Sequence, residues 1–283
     1  MSLVIYAKRG FHGSHYPDLA PGTTVLRLSG EVRGAEVAEA LPCLLNPTTR
    51  PAGSTAVFVK GAGRQWARPG DWLDWADSTW DALGAWALAH PEVNVLALTT
   101  VAQRWLQARL PQPVVVLPQP HLNWEDAPHR PPGRPLVAGY LGRPSPVACR
   151  LVQEIEAVLQ PLDVPMRAAW AWAGRADAVA FYQAIDVLVI GGHGVLPADT
   201  WQATPAKMIN AAGFGVPAIA APRDGYADWE GCYWPYRTDD DLVAAVTALS
   251  DQAVYAAWSA LVRQAAAPYA QAAILARYRA LVP

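Results

Sequence analysis

Short apolar runs recur along this chain at intervals that leave room for a helix between most neighbours. They include LVIYA at 3–7, AVFV at 56–59, VNVLAL at 93–98, VVVL at 114–117, LVAGYL at 136–141, DVLVI at 186–190 and PAIA at 217–220. Such runs carry apolar side chains on both faces, so each must be covered twice. That is the requirement of a mostly parallel sheet with helices above and below. Two further strands are expected at Thr24–Leu28 and Met166–Ala171.

The helical stretches fall between these runs. One is expected from about Trp72 to Ala89, and VAQRWLQARL follows a Thr99–Thr100 pair able to cap it. Pro146–Leu159, Ala176–Ala184 and Pro205–Ala212 follow in the second half, and the chain reads as helical from Asp239 onward, interrupted at Pro268. The run EDAPHRPPGRP at 125–135 has no apolar period and four prolines, so it reads as a linker. The expectation is therefore an α/β protein of two Rossmann-like lobes with mostly parallel sheets facing a cleft, the first over 1–134 and the second over 135–283.

Composition removes several functional classes. With 52% hydrophobic and 16% charged residues in 283, the chain can bury a substantial core. A net charge of −2 provides no general field for a polyanion. Cys43, Cys149 and Cys232 are far apart and odd in number, which fits neither a disulfide framework nor a zinc site. The opening MSLVIYAKRG places its positive charges after the apolar run, the reverse of a secretory signal, and no stretch approaches ~18 uncharged apolar residues. A cytoplasmic protein without an integral membrane segment is expected.

Three segments carry residues suited to chemistry. In GYLGRPSPVACRL, Gly139 and Gly142 allow a tight turn, Ser145 and Pro146 open a helix, and Arg143 adds a charge suited to phosphate. In GGHGVLPADTWQATPAKMINAAGFGVPAIA, Gly191, Gly192 and Gly194 end a strand, and Thr204, Pro205 and Lys207 open a short helix. Asn210 lies three residues beyond Lys207, on much the same helical face. In KRGFHGSHYP, His12 and His15 follow the first strand, while His193 lies in the GGHG turn; imidazole suits a general base near neutral pH. Around the expected Trp72–Ala89 helix, Trp72, Trp75, Trp80 and Trp86 alternate with aspartates, a pattern of core packing above a solvated acidic side; Asp74 is a subsidiary base candidate. No metal-ligand spacing, G-x-S-x-G elbow or P-loop occurs.

TPAKMINAAGFGVPAIA resembles the donor-binding signature of GT-B glycosyltransferases, especially family-four-like enzymes of glycosyl transferases group 1. GYLGR resembles the opening of their nucleotide-binding lobe, and FYQAIDVLVI the strand leading to the signature. The likeness covers about 136–280; the first half is similar only in its alternation of strands and helices. The family's two glutamates eight positions apart correspond to Gln202 and Asn210, and the Lys that usually follows the first-turn Arg is absent after Arg143.

The resemblance implies transfer of a sugar from a nucleotide diphosphate sugar, the donor substrate, to an unidentified acceptor, with retention of configuration. Gly142, Arg143, Gly192, Gln202, Thr204, Lys207, Asn210 and Arg223 would contact the donor, with the last helix crossing back to the first lobe. Protein cations and helix N-termini would hold the diphosphate, so neither a metal nor a cofactor is expected. The acceptor would be a glycan, a small molecule or a modified nucleobase in DNA, the last using Trp stacking and a local groove with Lys60, Arg64 and Arg68. The two missing carboxylates motivate an alternative, a glycosyltransferase-like nucleotide-binding protein or subunit without turnover.

Overall fold

The computed structural model describes residues 2–7, 11–12, 24–25, 33, 36–41, 43–76, 78–127, 135–142, 144–170, 175–191 and 204–282. It divides into two compact units. Unit 1 comprises Met1–Pro120, Trp201–Thr204 and Gln271–Pro283, and unit 2 comprises His121–Thr200 and Pro205–Ala270.

Unit 1 runs β1 (Leu3–Tyr6), β2 (Phe11–His12), β3 (Thr24–Val25), α1 (Glu36–Ala40), β4 (Leu44–Leu45), β5 (Thr55–Val59), β6 (Trp72–Asp74), α2 (Trp80–Ala89), β7 (Asn94–Ala97), α3 (Thr100–Gln107) and β8 (Val114–Val116). Among the described residues six of these strands form a parallel sheet in the order β4-β1-β5-β6-β7-β8. Val4, Tyr6, Ala56, Phe58, Leu73 and Trp75 lie in one core cluster, and Leu3, Ile5, Val57 and Val59 in another. The alternation is the period-two consequence of a strand buried on both sides. Thr99 caps α3 as its sequence indicates, its hydroxyl accepting from the Ala102 N–H at 3.1 Å.

Two expectations for this unit are corrected. Trp72–Asp74 is a strand, and the helix begins only at Trp80. The cause is Asp74, whose carboxylate bonds the buried Arg33 at 2.6 Å, so an acidic residue sits at the end of a central strand. Thr24–Val25 pairs antiparallel with Phe11–His12 in a separate two-stranded ribbon and adds nothing to the parallel sheet; residues 26–28 lie outside the described residues. The tryptophans pack as core: Trp75 is 1% exposed, stacks on Trp80 with centroids 5.8 Å apart, and Trp80 meets Trp105 edge-on.

Unit 2 runs β9 (Ala138–Leu141), α4 (Pro146–Leu159), β10 (Met166–Ala169), α5 (Arg175–Ala184), β11 (Val187–Ile190), α6 (Ala206–Gly213), β12 (Ala218–Ala220), β13 (Trp234–Pro235), α7 (Asp239–Leu249) and α8 (Gln252–Ala266). Its sheet is parallel in the order β10-β9-β11-β12-β13. Ser145 caps α4 through the Ala148 N–H at 3.1 Å, with Pro146 opening the helix. A 3₁₀ turn at Ala267–Tyr269 contains Pro268 and ends the helical run. The last helix, α9 (Gln271–Arg279), belongs to unit 1. Its Ile274, Leu275 and Tyr278 join Leu3, Ile5 and Val57 in one cluster, and Trp72 Nε1 donates to the Leu281 carbonyl at 3.2 Å. No helix among the described residues is long and apolar enough to cross a membrane.

Candidate functional site

In unit 2, β10 lies on one side of β9 while β11, β12 and β13 extend on the other. Strand order therefore reverses between β9 and β11. Turns leaving the carboxyl ends of two such strands diverge, and the crevice they open is where open α/β sheets take ligands.

Side chains from three strand ends and one helix, and a backbone carbonyl from a fourth strand end, meet at this edge. Tyr140 comes from the end of β9, and its ring closes over the turn that follows: a Cβ on Gly142 would lie 2.5 Å from Tyr140 Cε1. Only glycine leaves room for the ring there. Gly191 follows β11 with φ 79°, and its carbonyl accepts a hydrogen bond from the hydroxyl of Tyr236, the residue after β13. Arg223 follows β12; its Nη2 lies 3.5 Å from where a Gly191 Cβ would stand, and its charge acts on the Tyr226 phenol. Lys207, in the first turn of α6, places Nζ 4.9 Å from the centroid of the Tyr140 ring.

The electrostatics are one-sided. Among the described residues neither Lys207 nor Arg223 has a carboxylate partner. Burial, followed by the Arg223 charge, pulls Lys207 down to about 8. Burial raises Tyr140, Tyr226 and Tyr236 above the ordinary phenol value, so all three are neutral hydrogen-bonding groups near pH 7. Two cations without a carboxylate partner among the described residues, beside neutral phenols, have the chemistry that suits an anion.

α6 itself is held from below. The fully buried Tyr182 stacks on Phe214 and donates to the Lys207 carbonyl at 3.5 Å, with Asn210 close to its hydroxyl. Asn210 is 2% exposed and its Oδ1 has no partner among the described residues. The three-residue spacing from Lys207 does not put both on an open face, because Met208–Gly213 is buried throughout.

Of the residues singled out from sequence, Gly142, Lys207 and Arg223 meet at this edge, and Asn210 lies beneath it. Thr204 is half-buried and groups with unit 1. His12 contributes its backbone to β2. His15, Arg143, Gly192, His193 and Gln202 lie outside the described residues. Sequence reasoning missed Tyr140, Tyr226 and Tyr236. Tyr140 stands between Gly139 and Gly142 in GYLG, a position where a large side chain must fold over the turn. The two later tyrosines lie in a segment whose aromatic content reads simply as packing.

No protein-family model matches the chain, and neither does any curated protein. Solved structures do match it. The crystal structure of Anabaena Alr3699/HepE in complex with UDP and glucose aligns with a TM-score of 0.63 at 13% identity, covering 99% of this chain and 98% of that one. WaaG, a glycosyltransferase involved in lipopolysaccharide biosynthesis, aligns at 0.55 and 11% identity, covering 99% of both chains. The GtfA/B complex aligns at 0.57 and 14% identity over 82% of this chain; the chain spans 57% of that longer one. The architecture is thus the α/β fold of the GT-B glycosyltransferases.

Proposed function

We propose that the protein is a glycosyltransferase that takes a sugar from a nucleotide diphosphate sugar. The observation that carries this reading is the pairing of Lys207 and Arg223, without a carboxylate partner among the described residues, at the point where the unit 2 strand order reverses. A pyrophosphate supplies the missing charge. Two of the structural neighbours are complexes of Anabaena HepE, one with UDP and glucose and one with UDP-glucose, which supports a nucleotide sugar as the donor.

In this mechanism the bond between the sugar's anomeric carbon and the β-phosphate oxygen breaks while the acceptor hydroxyl oxygen bonds that carbon. The electron pair of the broken bond stays on the diphosphate. Lys207, Arg223 and Arg143 stabilise that charge as it develops, the role a metal ion performs elsewhere. In a retaining reaction the departing phosphate takes the acceptor's proton on the same face; in an inverting one His12 or His15 is the base. Gln202 and Asn210 stand where the resembling family has glutamates, Thr204 lies just before the Pro205 cap of the helix carrying Lys207, and Gly192 and His193 are assigned to the sugar.

One observation favours a second reading, nucleotide binding without turnover: Asn210 is enclosed on the buried side of its helix, with no open face toward a sugar hydroxyl. Calorimetry with UDP and turnover measurements with UDP-sugars separate the two. Transfer or donor hydrolysis, abolished in Lys207→Ala, supports the enzyme; UDP binding with no release from any donor supports the second reading. Absence of binding by any nucleotide diphosphate rejects both.

A further inference from the structure

Unit 1 holds a concavity of about 420 Å³ lined by Tyr6, Thr48, Thr49, Gln65, Trp66 and Arg68. Its size is that of small-molecule sites, ~300–1,000 Å³. It exists because the chain from β4 to β5, residues 46–54, contains no helix, and the chain from β5 to β6 has only a 3₁₀ turn at Arg64–Trp66.

Both walls are fixed before any ligand arrives. Asn46, at φ 48°, exchanges two 2.9 Å hydrogen bonds with the Ala7 backbone. Arg50, at the other end of the Thr48–Thr49 segment, forks onto Asp71 and also bonds Ser54. Asp71 in turn receives the Ala56 and Arg68 N–H groups at 2.9 and 2.7 Å. On the opposite side Tyr6 stacks on Phe58 and meets Trp66, both at 5.2 Å between centroids. Gly63 is needed for that contact: its φ is 72° and a Cβ would lie 3.0 Å from the Tyr6 ring and 3.1 Å from Trp66.

Despite this support, Trp66 is 51% exposed, the most open of the large hydrophobic side chains among the described residues. A rigid, open indole is a platform for the apolar face of a ring. Around it stand two hydroxyls and an amide, matched to a ligand rich in hydroxyl groups. The charge of Arg50 is satisfied by Asp71, whereas Arg68 is exposed and its guanidinium has no partner among the described residues. Among the described residues the wall therefore offers one free cation, enough for one carboxylate.

We propose that this concavity binds an acidic saccharide, with a sugar ring on Trp66, hydroxyls on Thr48, Thr49 and Gln65, and a carboxylate on Arg68. The site stands apart from the reading of unit 2: Lys207→Ala should leave saccharide affinity unchanged, so failure there and failure here are separate results.

The test is titration calorimetry of the full chain with cellobiouronic acid, cellobiose and AMP. Cellobiouronic acid should bind about tenfold more tightly than cellobiose. Arg68→Gln should lower its affinity to that of cellobiose while leaving cellobiose unaffected. Trp66→Ala should weaken both saccharides about tenfold or more, with circular dichroism confirming the fold. Thr49→Val, which leaves the aromatic stack intact, should weaken both as well. The proposal is overturned if neither saccharide binds, if the two bind equally, if Trp66→Ala and Thr49→Val leave affinity unchanged, or if AMP binds more tightly than cellobiouronic acid in a Trp66-dependent manner.

Discussion

Lys207 Nζ stands 4.9 Å from the centroid of the Tyr140 ring, so the ammonium at the carboxyl edge of the unit 2 sheet faces a π-surface instead of a carboxylate. The ring positions the charge without neutralising it. Tyr182 fixes the backbone of the same residue from the other side, through the Lys207 carbonyl. A flexible four-carbon side chain is thereby restricted at both ends, and less of its freedom remains to be lost when an anion binds.

Removing this ammonium should be felt first in binding. Lys207→Ala is expected to weaken UDP about 10–100-fold, the worth of one charge-assisted hydrogen bond. Arg223→Gln should do the same. The double variant should lose less than the product of the two, because each cation raises the cost of holding the other in the free protein. Calorimetry on the four proteins closes the cycle.

The depressed value of Lys207 makes two pH statements of opposite sign. The ammonium is lost as pH rises through about 8, so UDP affinity should fall between pH 7 and 9, with proton uptake on binding near pH 8. Unliganded stability should move the other way. Between about 8 and the ordinary lysine value of 10.5 the unfolded chain holds more protons than the folded one, so this residue makes stability rise with pH across that window. Lys207→Met should flatten that part of the profile in urea titrations at successive pH values.

Much of this was legible beforehand, and the boundary is physical. Local signals survived: Ser145 and Pro146 open α4, Thr99 caps α3, and Pro268 interrupts the final helices, because each acts within one turn of its own position. Trp72–Asp74 was hidden because the partner that makes Asp74 tolerable in a central strand, Arg33, is 41 residues away. Arg223 was recognisable from its place after the donor-side strand, but its closeness to Gly191 arises from two separate strand ends. Asn210 shows the converse: helical spacing relates it to Lys207, and only packing reveals that its side of α6 is enclosed.

Gly142→Ala tests whether Tyr140 must fold over the first turn. The added Cβ falls 2.5–2.8 Å from three atoms of the ring, so the phenol has to swing away. Overpacking of this kind costs about 1–3 kcal/mol. A loss of UDP affinity larger than the loss of stability accounts for would tie the ring to the site. The control is Gly231→Ala, where a Cβ meets nothing within 4 Å although φ is 78°; it should lower stability alone.

Asp74 is accounted for by structure. It and Arg33 are both fully buried; Arg33 Nε donates to Asp74 Oδ2 at 2.6 Å and Nη1 to the Leu117 carbonyl at 3.0 Å, while the Ala76 N–H donates to Asp74 Oδ1 and Tyr278 to the Arg33 carbonyl. A carboxylate held this way is poorly placed to take a proton from an acceptor. Its removal strands a guanidinium in the core, and Asp74→Ala should cost about 3–5 kcal/mol in urea unfolding. Replacing both partners with apolar residues of similar size, Arg33→Met with Asp74→Leu, should recover most of that loss, since desolvating the pair offsets much of its attraction. If Asp74→Ala instead leaves stability intact and abolishes transfer, the carboxylate acts on substrate and this assignment falls.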